Sequence, residues 1–259
     1  MEPVLVERRG PVTVVTIDRP EARNAVDGAT ADALDEAFAA FDRDPEAAVG
    51  VLTGAGGTFC AGADLKAIAG GDERLTARLA SMSDGPMGPT RRALSKPVLA
   101  AIEGYAVAGG LELALWCDLR IAAGDATLGI FNRRWGVPLI DGGTVRLPRL
   151  VGHGRAMDLI LTGRPVEAAE ALSIGLIDRI CDAGDALPTA TALAEEIARH
   201  PQVTMRHDRI SAMDAWSLDI ADALQNEHRL GLEALSSGES AGAQRFVAGK
   251  GRGGSFEDV

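Results

Sequence analysis

The sequence predicts an α/β protein that ends in helices. Three observations lead there. β-rich segments alternate with helix-patterned ones along most of the 259 residues, and no β signal survives beyond Ala183. Hydrophobic residues make up 46% of the chain, enough to fill a core. Aromatic residues are only 4%, so that core has to be built from Ala, Val, Leu and Ile. The change from alternation to helices alone divides the chain into residues 1–195 and 196–259, with no sharp linker between them.

In chain order, residues 4–7 and 12–18 alternate apolar and polar side chains around Gly10-Pro11, a hairpin signal. Residues 30–41 carry Ala33, Leu34, Ala37, Phe38 and Phe41 at helical spacing. Residues 49–53 read as a short buried strand, and residues 54–62 as a glycine-rich loop. Asp64 stands where a helix cap belongs, before Leu65-Lys66. Residues 70–90 are polar and broken by Gly85-Pro86 and Gly88-Pro89, which predicts a mobile segment. Residues 97–102 form an apolar strand, 109–116 a helix and 119–123 another strand. Residues 128–150 are irregular and rich in Gly, Pro and Arg. Residues 154–161 and 166–172 are helix-patterned on either side of Gly163-Arg164-Pro165, and 176–181 form a strand. Residues 190–200, 203–213 and 218–235 are helical, and 239–247 continue that pattern. A strand–strand–helix recurrence is faint, and no sequence repeat stands out.

Composition excludes several function classes. A net charge of −11 argues against general binding to nucleic acid or to an anionic membrane, while leaving room for an anionic ligand held by a local basic cluster. Cys60, Cys117 and Cys181 form no CxxC pair and no disulfide framework. His153, His200, His207 and His228 lack metal-ligand spacing, so no metal is expected; His153 is read as a helix cap and the others as surface residues. Residues 249–254 satisfy GxGxxG, but they follow no strand and open no helix, so the dinucleotide reading fails. Residues 1–9 lack the basic-then-apolar layout of a signal segment, and Lys96, Glu103 and Glu112 interrupt the apolar runs. A cytoplasmic protein with no membrane partner is the expectation.

Chemistry concentrates in two glycine-rich loops that each lead into a helix. One is Thr58-Phe59-Cys60-Ala61-Gly62-Ala63-Asp64-Leu65-Lys66; the other is Gly104-Tyr105-Ala106-Val107-Ala108-Gly109-Gly110-Leu111-Glu112. Small residues let a ligand approach the main chain, and a helix start offers unpaired N–H groups. One turn into the second helix, Glu112 is a lone carboxyl among leucines and alanines, where the ionised form is disfavoured. Two converging amides beside such a group suit the enolate of a thioester, and each amide is worth about 2.7–4 kcal/mol to an oxyanion. Two ordinary strand-to-helix turns remain the alternative reading.

With these residues in view, the chain resembles the enoyl-CoA hydratase/isomerase, or crotonase, superfamily. The likeness runs through residues 19–25, Phe59-Cys60-Ala61-Gly62-Ala63-Asp64-Leu65, Ala108-Gly109-Gly110-Leu111-Glu112-Leu113-Ala114, Cys117-Asp118, Gly142-Gly143-Thr144 and Arg146-Leu147-Pro148. It continues through Leu161-Thr162-Gly163-Arg164, residues 169–176, and a tail from Arg245-Phe246 to Phe256. It covers essentially the whole chain in order. The resemblance implies a crotonase-like ββα spiral core with a C-terminal helical trimerisation region, hence a homotrimer or a dimer of trimers. Helices that close the subunit's own site are the other reading of that region. The implied substrate is an acyl-CoA thioester, with coenzyme A entering as part of it and no separate cofactor.

Carried over residue by residue, the resemblance places an oxyanion hole at the N–H groups of Ala63 and Gly109. It places coenzyme A along Ala61, Gly62, Asp64, Leu65, Lys66 and Gly110, with Lys250 in the tail near the phosphates or simply flexible. Asp64 is read as a cap in preference to an acid. Glu112 matches one of two catalytic glutamates. The position of the other, four residues before Gly136, is Asn132, which cannot exchange a proton at neutral pH. Asp141 is either the compensating carboxyl or a turn residue before Gly142-Gly143. Arg133 and Arg134 either enter the pocket or form a surface or inter-subunit pair, and Trp135 packs in the core or along the acyl channel. The leading expectation is an enoyl-CoA hydratase-like enzyme. The alternatives are an isomerase, lyase or decarboxylase working with one carboxylate, and an acyl-CoA-binding protein without turnover.

Overall fold

The computed structural model describes residues 2–237 and 241–250, in two compact units that meet at Ile197/Ala198. In the first, β1 (Val4–Arg9) and β2 (Val12–Ile17) form an antiparallel hairpin that pairs Val4 with Ile17 and Arg9 with Val12. Helix α1 (Gly28–Arg43) starts at Asp27, whose carboxylate accepts from the Thr30 N–H, and it buries Leu34, Phe38 and Phe41. Strand β3 (Val49–Gly54) then lies parallel to β2. Helices α2 (Leu65–Gly70) and α3 (Glu73–Ala80) follow, each capped by an aspartate, Asp64 and Asp72.

Next come β4 (Val98–Ile102), β5 (Tyr105–Val107) and α4 (Gly109–Trp116), then β6 (Leu119–Ala123) and β7 (Thr127–Gly129). Helices α5 (Gly143–Val151) and α6 (His153–Thr162), strand β8 (Pro165–Glu167), helix α7 (Ala168–Ser173), strand β9 (Arg179–Cys181) and helix α8 (Ala186–Ala198) complete it. The large sheet has the order β1-β2-β3-β4-β6-β9, parallel from β2 onward. The small sheet has the order β5-β7-β8.

The faint recurrence has a structural meaning. A strand in the large sheet is followed by a short one in the small sheet: β4 by β5, then β6 by β7. In the preceding round, β3 is followed by Cys60, which bridges Ala106 of β5 in parallel. After each short strand the chain turns, into α2, into α4, or into a 3-10 turn at Phe131–Arg134. Strands β3 and β4 are buried along almost their whole length, as parallel strands covered on both faces must be. Small aliphatic residues dominate the core, around the fully buried Phe38 and Phe59.

Several expectations are corrected. Residues 70–90 hold a helix, α3, where a mobile segment was expected. Only Leu75 of that helix is buried, so its apolar pattern is nearly silent. Arg78 pins it by donating to Asp32 Oδ1 at 2.8 Å and to the Gly85 carbonyl at 3.0 Å. The irregular stretch 128–150 contains α5. Residues 165–167 are a strand, because they pair with β7, and the helix begins only at Ala168. His153 opens α6 without capping it; Gly152 holds the cap position.

In the second unit, α9 (Gln202–Asp214) packs on α10 (Ile220–Ser236), with His207 Nδ1 3.1 Å from the Leu230 carbonyl. Helix α11 (Ala241–Val247) follows. Glu239 and residues 251–259, with Gly251 to Gly254 and Phe256, lie outside the described residues. No helix among the described residues is long and apolar enough to cross a membrane.

Candidate active site

The turns after the short strands carry the candidate residues. Cys60 N donates to Tyr105 O at 2.9 Å, and Val107 N donates to Cys60 O at 3.1 Å, so the loop leading to Ala63 runs beside β5. On its other side, Ala61 N donates to Arg23 O at 3.1 Å, and Asp64 N to Val26 O at 2.8 Å. Asn24, fully buried, ties the preceding bend in place. Its Oδ1 accepts from Arg19 N, and its Nδ2 donates to Ala55 O at 2.8 Å and Thr58 O at 2.6 Å.

The two loops touch through glycine. A Cβ on Gly62, which has φ 101°, would stand 3.0 Å from the Gly109 nitrogen; one on Gly110 would stand 2.1 Å from the Cys60 carbonyl. Between them, Ala108 adopts φ 53° and ψ −127°, a strained conformation for a residue with a Cβ. Neither the Ala63 nor the Gly109 N–H donates to an acceptor among the described residues. Gly109 is the first residue of α4, where helix amides lack an intrahelical partner.

A cavity of about 490 Å³ opens here. Ala63 and Gly109 line it, and so do Glu112, Asp141 and Asn132. Glu112 is 2% exposed. Its Oε1 accepts from two main-chain amides, Asp141 N at 2.9 Å and Gly143 N at 2.8 Å. Burial, reinforced by the nearby Asp141 charge, pushes its pKa up to about 7 against the pull of those amides. Asp141 is buried as well, and burial also raises its pKa. The Thr90 hydroxyl and the Met87 N–H both donate to its Oδ1 and oppose that rise. Glu112 Oε2 and Asp141 Oδ2 accept no hydrogen bond from the described residues, and neither is sealed from solvent.

Asn132, in the 3-10 turn after β7, is 3% exposed. Its Nδ2 donates to Pro138 O at 3.3 Å, and its Oδ1 is buried without a partner. Arg133 and Arg134 are exposed. Arg133 donates to Val137 O, and the Arg134 guanidinium lies 3.9 Å over the Phe131 ring, so the pocket-entry reading of this pair fails. The arginine beside the carboxyls is Arg146, which donates to Asp141 O at 2.9 Å and Thr90 O at 2.7 Å. Trp135 lies at the rim of the cavity, 67% exposed, and not in the core.

Of the residues expected at coenzyme A, Ala61, Asp64, Leu65 and Lys66 line the cavity; Gly62 and Gly110 do not, and serve the contact between the loops. The Asp64 carboxylate caps α2 through the Lys66 and Ala67 amides and pairs with Arg19 at 3.1 Å. Among the described residues, no three His, Cys, Asp or Glu side chains gather as metal ligands. Thr90, Met87 and Arg146 gave no functional signal as sequence. Arg146 sits in a quoted motif without a role, and the other two sit in the stretch expected to be mobile.

Such a site can stabilise an oxyanion with main-chain amides and move a proton with either carboxyl. Residues 7–251 match the enoyl-CoA hydratase/isomerase family. The chain is 36% identical over 256 residues to enoyl-CoA hydratase EchA19 of Mycobacterium tuberculosis, with 95% of this chain and 93% of that protein covered. It is 34% identical over 235 residues to a short-chain-enoyl-CoA hydratase of Clostridium acetobutylicum, with 90% of each covered. The crystal structure of an enoyl-CoA hydratase from Mycobacterium tuberculosis superposes with a TM-score of 0.90 at 36% identity, with 96% of each chain covered. With sequence and fold agreeing over nearly its full length, the chain belongs to the enoyl-CoA hydratase/isomerase family.

Proposed function

We propose that this protein hydrates an enoyl-CoA thioester through an enolate held by the N–H groups of Ala63 and Gly109. The observation that carries the reading is the pair of unengaged carboxyl oxygens, Glu112 Oε2 and Asp141 Oδ2, on residues that line one cavity with two unengaged amides. Burial raises both pKa values, that of Glu112 to about 7 with the Asp141 charge contributing, and the reading assigns the ionised form to Asp141 and the proton to Glu112.

The roles follow from that assignment. Asp141 takes a proton from water as its oxygen bonds to the β-carbon, and the double-bond electrons move to the thioester oxygen. The enolate collapses as Glu112 gives its proton to the α-carbon. Asp141 then carries the water's proton, and returning it to Glu112 restores the starting state. Asn132 cannot take part in this exchange. Coenzyme A is handled as part of the substrate, along Ala61, Asp64, Leu65 and Lys66, with no further cofactor. A homotrimer or dimer of trimers in the cytoplasm completes the reading; the exposed Ile220, Leu224 and Leu235 of α10 support an assembly surface.

Crotonyl-CoA hydration tests the reading. Glu112→Gln and Asp141→Asn are each expected to lower kcat by about 10²–10⁴-fold. Rates equal to wild type in both would remove the pair from the chemistry. Asn132, lacking a carboxyl, favours a second reading, double-bond isomerisation by Glu112 alone. In that case Asp141→Asn keeps full activity on a 3-enoyl-CoA and Glu112→Gln loses it.

A further inference from the structure

The stretch before β4 grips Asp141 in a way that the reaction above does not use. Thr90 is 1% exposed, in a 3-10 turn at Pro89–Arg91. Its hydroxyl donates to Asp141 Oδ1, and the Met87 N–H donates to the same oxygen at 3.0 Å. The Thr90 carbonyl accepts from Arg146 Nη2 at 2.7 Å, and Arg146 Nη1 holds the Asp141 carbonyl at 2.9 Å. Arg91 Nη2 donates to Ile140 O at 3.1 Å. Space is tight enough that a Cβ on Gly85 would stand 2.2 Å from Thr90 Oγ1. One Asp141 oxygen is thus engaged twice, and Oδ2 alone is left for the cavity.

We infer that Thr90 is a positioning residue: its hydroxyl sets the orientation of the Asp141 carboxylate and favours its ionised form, so that Oδ2 is the atom that receives the proton from water. The inference rests on Asp141 acting as the base. The charged groups that face Asp141 are Glu112 from α4, Arg146 from α5 and Arg91 from the 3-10 turn. Thr90 is neutral, so replacing its hydroxyl with a methyl group alters none of those charges. It removes one of two donors to Oδ1, which favours the protonated acid.

The test is the pH profile of kcat/KM and kcat for crotonyl-CoA in wild type, Thr90→Val, Thr90→Ser and Asp141→Asn. Thr90→Val should move the acidic limb up by about one pH unit and lower kcat more than it changes KM. Thr90→Ser should restore the wild-type limb, and the basic limb, set by Glu112, should stay in place. If Thr90→Val does not fold, Thr90→Cys, a weak donor of similar size, should shift the limb in the same direction by less. A wild-type acidic limb in the Val or Cys variant, with Asp141→Asn inactive, overturns the role of Thr90 and leaves the hydratase reading intact. An active Asp141→Asn variant overturns both.

Discussion

Glu112 shows how a single residue can be legible before the fold is known. A lone acid in an apolar helix has to be buried, so its raised pKa follows from neighbours in sequence. The structure adds that its Oε1 is bound by the Asp141 and Gly143 amides, which come from a distant loop. A glutamate whose folded pKa stands at about 7, above the ordinary 4.5, binds its proton more tightly folded than unfolded. Its contribution to stability is therefore full below the ordinary value and is lost as pH rises towards 7. Glu112→Gln removes that loss. The stability of the variant relative to wild type should grow between pH 4.5 and 8 by up to about 3 kcal/mol, read from urea denaturation at each pH. A pH-independent difference would contradict the buried, protonated glutamate.

Elements differ in what they announce. Helix α1 is foreshadowed by its apolar spacing, strands β3, β4 and β6 by the apolar runs of buried strands, and the hairpin β1–β2 by alternation around Gly10-Pro11, although β1 is exposed beyond Val4. Helix α3 is not foreshadowed, since Leu75 alone is buried and the rest of its hold comes from Asp72 and Arg78. Turns are the least legible class, because tertiary partners set their shape. Asn24 illustrates this with φ 56° and side-chain bonds to carbonyls more than thirty residues away. Asn24→Asp keeps the size but cannot donate, so the part-buried Ala55 and Thr58 carbonyls lose their partner. A loss of about 2–6 kcal/mol is expected, at about 1–3 kcal/mol for each unsatisfied group. Thermal melting measures it, and hydration activity should fall with it, because the same loop leads to Ala63. An unchanged melting temperature would show that these bonds are dispensable.

At the scale of the whole first unit, the site arises where successive rounds of strand, short strand and helix turn over the same end. Ala63, Gly109 and Asn132 each follow a segment that pairs in the small sheet, or bridges to it. The far edge of the large sheet is secured by Arg120 on β6, 2% exposed, which donates to Leu176 O, Cys117 O and Asp178 Oδ2. Arg120→Met should lower stability by about 2–6 kcal/mol, because the buried Leu176 and Cys117 carbonyls each lose a donor at about 1–3 kcal/mol. The midpoint of urea unfolding reports it, and a midpoint within error of wild type would show the edge to be held by β6–β9 pairing alone.

Residue order by itself determined the α/β class, most strands and helices, the two glycine turns, Glu112 and the family resemblance. Those properties depend on local pattern and on short motifs, which a linear reading preserves. Only the tertiary structure decided that Arg146 holds the Asp141 carbonyl and that Thr90 grips Asp141. It also decided that Arg133 and Arg134 face outward. Those facts depend on which distant segments pack together, and hydrogen bonds across some fifty residues of sequence leave no trace in its periodicity.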